Sequence, residues 1–173
     1  MAKKYDAKKI AVCSLLSALG VAILWLGRVI PVMDMSMAVI ASVFAVVAVI
    51  EYGKSAPWLV YAVTSVLSLI LMSDNSAVYL YVFFLGFYPI IKEKLERLKK
   101  GLCWLLKEII FNAGLALLLI GEKLLLTADT TEPWYFYLAF IILAEIAFPL
   151  YDVALTRLIT LYLRKIRPKL RLK

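Results

Sequence analysis

Apolar residues occur in six long runs along the chain, and short polar or charged segments separate the runs. The runs cover residues 10–27, 37–51, 57–72, 77–91, 105–126 and 134–156. A helix that crosses a bilayer needs about 20 predominantly apolar residues, and the shorter runs approach this length with flanking positions. The pattern predicts an all-α integral membrane protein, in which a six-transmembrane-helix bundle forms a single domain over residues 1–173.

Turn-forming and charged residues mark the boundaries between the runs. Pro31 follows the first run, and residues 53–57 separate the second from the third, with Pro57 suited to a first helical turn. Residues 73–76 form a predicted tight turn. Residues 92–107 form a charged connector and 127–133 a polar loop, while 157–173 form a basic tail.

Composition supports lipid as the solvent for much of the surface. Hydrophobic residues make up 64% of the chain, charged residues make up 18%, and the mean hydropathy is +0.91. A soluble domain is usually about half apolar, so this excess is too large for one core. The basic start at residues 3–9 is typical of a signal peptide, but the following run is long and lacks a clear cleavage site. We therefore predict a retained first helix.

The distribution of positive charge predicts the orientation. With the N-terminus in the cytoplasm, eighteen of the 20 Lys and Arg residues fall in cytoplasmic segments, and only Arg28 and Lys123 fall in outer loops. Basic residues concentrate on the cytoplasmic side of membrane proteins. We predict a multi-pass protein of the cell membrane with both termini cytoplasmic. The net charge of +8 follows from this pattern and does not indicate a nucleic-acid partner.

The chain lacks the residues that several kinds of catalytic and metal-binding site require. The chain has no histidine, which removes the common Ser-His and Cys-His pairs, and no nucleotide-binding glycine motif. Cys13 and Cys103 are a poor zinc set. Glu145 and Asp152 are separated by about 10 Å along one helix, too far to share a proton. We predict a protein that is not an enzyme, has no metal or cofactor, and hydrolyses no ATP itself.

Small residues recur every four positions in the first two helices. Ser14, Ala18 and Ala22 share one face of the first helix, and the second helix carries a similar series, namely Ala38, Ala41, Ala45 and Ala48. Small side chains let another helix approach closely in lipid. Each stripe can serve packing within the bundle or docking of another subunit, and the first helix is the better candidate for docking.

Polar groups at membrane depth are the candidate substrate-binding residues. Glu145 lies near the middle of the last run, Asn112 near the middle of the fifth, and Tyr81 on an aromatic face of the fourth. Ionisable groups at this depth face a cavity or another helix. Arg28 and Asp34 lie in an apolar first loop that can cover a pocket. The alternative is that these groups bond between helices, and that Arg28 only reaches toward the lipid headgroups.

Residues 8–94 resemble the substrate-binding S components of energy-coupling factor (ECF) vitamin transporters. The similarity consists of a basic start, the small-residue spacing of Ser14, Ala18 and Ala22, a Pro-containing loop at 29–34 and a second helix ending before Gly53. In that family an alanine four-spacing docks the transmembrane coupling subunit; Ala18 and Ala22 match, and Ser14 departs conservatively. Family members bind a vitamin from outside with the first loop and later helices. The resemblance thereby implicates Arg28, Asp34, Asn112 and Glu145 by position.

The leading hypothesis is a substrate-capture subunit of a multi-subunit, ATP-driven importer for a vitamin-like small molecule. Its partners would be a membrane coupling subunit and cytosolic ATPases. The alternative is a non-transporting scaffold or assembly subunit similar to the rod-shape protein MreD, which needs no pocket.

Overall fold

The computed structural model describes residues 2–53, 55–125 and 134–170, and every regular element within these ranges is helical. Helix occurs in all six predicted apolar runs. The polar loop predicted at 127–133 lies outside the described residues. The chain divides into two compact units, Met1–Thr127 and Ala128–Lys173, and each is described by itself below.

The described residues of the first unit form six α-helices joined by short turns. They are α1 (Ala2–Val29), α2 (Asp34–Tyr52), α3 (Ala56–Leu71), α4 (Ser76–Leu80), α5 (Tyr88–Leu95) and α6 (Lys100–Leu125). A 3₁₀ turn at Pro31–Met33 connects α1 to α2, and a π-helical turn at Tyr81–Leu85 follows α4.

The second unit is dominated by one long helix. It consists of α7 (Trp134–Leu161), a π-helical turn (Tyr162–Ile166) and α8 (Arg167–Leu170). Helix α7 continues through Pro149. Helical structure also continues through most of the segment expected to be a basic tail, because Arg and Lys are good helix formers and no glycine interrupts them.

Four stretches of the described residues are long and apolar enough to cross a membrane. These are Ala7–Val29, Asp34–Tyr52, Lys100–Gly121 and Trp134–Lys165, and the shorter apolar helix Ala56–Leu71 accompanies them. The helices are those of a membrane protein. The count of six spans and the placement of both termini in the cytoplasm stay predictions.

Local chemistry explains several helix boundaries. Helix α2 ends at Gly53, whose φ of 53° lies in the left-handed region that glycine adopts without strain. Pro57 occupies the first turn of α3, as predicted. The Asn75 side chain caps α4 by accepting hydrogen bonds from the backbone N–H groups of Ala77 and Val78, at 2.7 and 3.3 Å.

The fourth apolar run differs from the straight helix predicted over 77–91. Helix α4 ends at Leu80, the Gly86 N–H donates to the Tyr81 carbonyl at 2.7 Å, and α5 begins only at Tyr88. Pro89 lacks an N–H and its ring disfavours a continuous helix, which is consistent with a break just before it. Gly86 permits close packing, since a Cβ there would lie 2.7 Å from the Tyr61 ring and 2.8 Å from the Tyr81 ring.

The core of the first unit begins with α1 packed against α2 and α3. Cys13 and Leu16 of α1 form a buried cluster with Ala48, Ala56 and Val60. Ser17 extends the same inner face of α1, and its hydroxyl donates to the Cys13 carbonyl at 2.9 Å. These contacts hold the inner face of α1 against the core. The predicted docking residues Ser14, Ala18 and Ala22 take no part in them.

Candidate functional site

The predicted docking residues of α1 lie on the outer side of the helix. Ser14, Ala18 and Ala22 are all exposed, whereas Leu16 and Gly20 on the opposite side are buried. The stripe therefore lies outside the buried core of the first unit. Its small side chains would let a partner helix approach the α1 backbone closely.

The matching stripe of α2 has the opposite environment. Ala38, Ala41, Ala45 and Ala48 are each 0% exposed. Helix α2 packs against both α1 and α3, so its small side chains permit close approach inside the unit. Here the internal-packing interpretation of the sequence is confirmed.

Arg28, expected in the first loop, lies in the last turn of α1, and this end of the loop is held to the turn between α3 and α4 by an ion pair. The Arg28 guanidinium lies 2.7 Å from the Asp74 carboxylate and 3.3 Å from the Leu71 carbonyl oxygen. Asp74 is 63% exposed, so solvent or headgroups screen the pair and its contribution to stability is below about 1 kcal/mol. The pair nevertheless sets where the end of α1 meets the 73–76 turn.

Asp34 lies at the other end of the same loop, where it opens α2. A carboxylate in the first turn is favourable because it faces the positive end of the helix dipole. Its Oδ1 atom is buried and has no hydrogen-bond partner among the described residues. Arg28 and Asp34 therefore occupy one end of the first unit, but Arg28 pairs with Asp74 and not with Asp34.

Tyr81 lies in a packed aromatic cluster. It is fully buried, its ring centroid is 6.4 Å from that of Tyr61, and its hydroxyl interacts with the Thr64 side chain. The Tyr61 hydroxyl donates to the Val82 carbonyl at 2.8 Å, within the π-helical turn. The structure thus brings Tyr61 of α3 into contact with the aromatic face that the sequence predicted on the fourth run.

Two serines of α3 extend this cluster. Ser65 and Ser68 share the α3 face of Tyr61 because they follow it at helical spacing, and both are buried. Neither hydroxyl oxygen has a partner with hydrogen-bond geometry among the described residues. Like the Asp34 Oδ1 atom, these hydroxyls are buried polar groups without a partner of hydrogen-bond geometry in the described part of the chain.

The remaining two predicted binding residues lie elsewhere. Asn112 is exposed on α6, and its amide donates to the Glu108 carbonyl of its own helix at 3.1 Å. Glu145 is half-buried on α7, in the second unit. The substrate site formed by Arg28, Asp34, Tyr81, Asn112 and Glu145 stays a prediction.

Two surface hollows in the described part of the chain have other linings. One has a volume of about 480 Å³ and lies at the start of α6, lined by Glu96, Leu98, Lys100, Gly101, Cys103 and Trp104. The other, of about 430 Å³, lies at the C-terminal end of α7. Neither includes a predicted binding residue. Within the described ranges, no group of three or more Cys, Asp or Glu side chains is placed to hold a metal ion.

Two buried lysines were not singled out from the sequence. Lys92 of α5 is 1% exposed, and Lys107 of α6 is also buried, although both fall in the predicted charged connector. Glu96 lies 3.0 Å from the Lys92 ammonium and 3.7 Å from the Lys107 ammonium. The four-residue spacing of Lys92 and Glu96 was the sequence signal from which this ion pair could have been predicted. The approach of Lys107 depends on the tertiary packing of α5 on α6.

Comparison with known proteins adds no relative: no family model, no curated protein and no solved structure matches this chain. The class that the helices define is a helical membrane protein.

Proposed function

We propose that this chain is the substrate-capture subunit of a multi-subunit, ATP-driven importer, similar to the S components of ECF vitamin transporters. Its substrate would be a vitamin-like small molecule. The observation that carries the proposal is the outward position of Ser14, Ala18 and Ala22 on α1, since that is the stripe the family resemblance assigns to docking.

The packing of α1 supports a docking role for this face. Lipid tails are as apolar as leucine side chains, so the hydrophobic effect gives helices little drive to associate in a bilayer. Close contact between helices contributes instead, and it requires small side chains. The buried alanines of α2 meet that requirement within the fold, and the exposed residues of α1 meet it for a second protein.

The substrate would enter at the end of the first unit that holds the first loop. Arg28 and Asp34 lie there, and the Arg28–Asp74 pair ties the loop to the next turn. Opening this exposed pair would release the loop at small cost, because exposed ion pairs contribute little. Tyr81 and Asn112 are the further proposed binding residues of the first unit, and Glu145 is proposed separately on α7 of the second unit.

Energy would come from the partners. The chain contains no nucleotide-binding motif, so ATP would be hydrolysed by cytosolic ATPases joined through a membrane coupling subunit. Docking on the outer face of α1 would leave the contacts of its inner face with α2 and α3 intact. ATP hydrolysis in the partners would then drive reorientation of the chain and release of the substrate inside.

The test is co-purification of affinity-tagged protein from its native membrane, with partners identified by mass spectrometry. The wild-type chain should retain a membrane coupling subunit and ATPases, and Ala18→Leu should lose them because the larger side chain holds the partner helix away. Ala62→Leu is the matched control, since Ala62 is also exposed but lies on α3. Retention of no ATPase by the wild-type chain would contradict the proposal.

A second candidate function is a scaffold or assembly subunit that transports nothing. It is favoured by the exposure of Asn112, whose amide donates to a carbonyl of its own helix. Glu145→Gln separates the two functions. A capture subunit should lose binding of its small molecule, whereas a scaffold should support the same assembly as the wild-type chain.

A further inference from the structure

One face of α7 changes from apolar to cationic toward the C-terminal end of the helix. Exposed side chains three or four residues apart follow this face, in the order Leu143, Ile146, Leu150, Val153, Arg157, Leu161 and Arg164. Such spacing stacks side chains on one side of a helix. An apolar stripe about 15 Å long therefore leads directly into a group of positive charges.

The positive charges surround a surface hollow. Its volume is about 430 Å³, and its lining consists of Thr156, Arg157, Thr160, Leu161, Arg164 and Lys165. The lining holds three cations and no carboxylate. The nearest acidic residue in the sequence is Asp152, and none follows it.

The hydrogen-bond donors of the hollow come from its cations. The Thr156 and Thr160 hydroxyls each donate to a helix carbonyl at 2.9 Å, so their protons are already engaged. No ion pair within the described ranges involves Arg157, Arg164 or Lys165. The guanidinium and ammonium groups thus present several donors and an uncompensated charge at the end of an apolar face.

We propose that this hollow binds the phosphate headgroup of an anionic phospholipid, whose acyl chains lie along the apolar stripe of α7. Arginine donates paired hydrogen bonds to phosphate oxygens, and a nearby lysine adds charge. A zwitterionic lipid carries its own cation, which these residues would repel. The proposal does not depend on the importer function.

The order of apolar and charged side chains along α7 favours a lipid over a soluble phosphate as the ligand. A free anion needs only the hollow, whereas a phospholipid needs an apolar surface that begins where the charges end. Val153 and Leu150 provide that surface one and two turns before Arg157.

The test uses the full chain purified in a neutral detergent and titrated with phosphatidylglycerol or phosphatidylcholine, with bound lipid counted by native mass spectrometry. The wild-type chain should bind phosphatidylglycerol in preference to phosphatidylcholine. The triple variant Arg157→Gln, Arg164→Gln, Lys165→Gln should lose on the order of 100-fold in affinity, because each cation near an anionic surface contributes roughly fivefold.

A matched control removes three exposed cations from the α5–α6 connection by Lys94→Gln, Lys99→Gln and Lys100→Gln, and should keep wild-type affinity. If the first triple variant does not fold, the single variants Arg157→Gln and Arg164→Gln should each lose roughly fivefold. Equal binding of both lipids by the wild-type chain, or equal losses in the two triple variants, would overturn the proposal. Displacement of the lipid by millimolar inorganic phosphate would overturn the choice of a lipid as the ligand.

Discussion

The small-residue stripes of α1 and α2 share a spacing but differ in environment. Ala38, Ala41, Ala45 and Ala48 are completely buried, whereas Ser14, Ala18 and Ala22 are exposed. The cause is position in the bundle: α2 packs against helices on two sides, while α1 contacts them with one face. Spacing therefore identifies a surface suited to close helix contact, and the fold decides whether that contact is internal.

The largest effect is expected from enlarging the buried stripe. Ala45→Leu should lower the free energy of unfolding by about 3 kcal/mol, because Ala45 is enclosed and three added carbon atoms must displace neighbours. The measurement is reversible unfolding by SDS titration of the purified protein. A loss below about 0.5 kcal/mol would show that α2 is not packed internally as described.

A smaller loss should follow a change on the inner face of α1. In Gly20→Ala the new Cβ would lie 3.1 Å from Thr64 Cγ2, and Thr64 is buried and donates to the Ser17 carbonyl at 3.5 Å. The cost of moving Thr64 should exceed the gain in helix propensity, for a net loss of roughly 1 kcal/mol. Unchanged or increased stability in the same titration would mean that α1 and α3 are less closely packed than the structure shows.

The end of α1 should be held only weakly by its ion pair. Asp74→Asn removes the charge partner of Arg28 and should cost about 0.2–1 kcal/mol, because both side chains are partly exposed. The effect should decrease at high salt, which screens exposed pairs. Measuring the variant and the wild-type chain at low and high salt checks this, and a salt-independent difference would indicate a desolvated pair.

The smallest effect on stability is expected from enlarging the exposed stripe. Ala18→Leu should change the free energy of unfolding of the isolated chain by less than about 0.5 kcal/mol, since the side chain projects outward. Comparison with Ala45→Leu in one experiment measures the difference between the stripes. Similar losses in both variants would contradict the outward position of Ala18.

The sequence was sufficient to predict which segments are helical but not which residues of the helices are buried. The six apolar runs all contain helix, and Pro57 and the 73–76 turn act as predicted, because these signals are local. The π-helical turn at Tyr81–Leu85 was missed, since apolar residues alone do not distinguish α from π turns. Lys92 was expected in a charged connector and is buried, because its environment depends on packing between α5 and α6.

In the candidate site, too, local features could be predicted from the sequence and tertiary contacts could not. The shared face of Tyr61, Ser65 and Ser68 followed from helical spacing, and so did the aromatic face that includes Tyr81. The partner of Arg28 did not, because Asp74 is 46 residues away in the chain and only the fold brings it near. The exposure of Asn112 likewise depends on how α6 is rotated in the bundle.

Photo-crosslinking in native membranes can show whether a membrane partner docks on the outer face of α1. A photoreactive leucine analogue would replace Leu15, which is exposed beside the stripe, or Leu67, which is exposed on α3. We expect a protein adduct at position 15 that contains the coupling subunit and disappears in Ala18→Leu, with lipid adducts alone at position 67. Lipid adducts alone at both positions would contradict docking on α1.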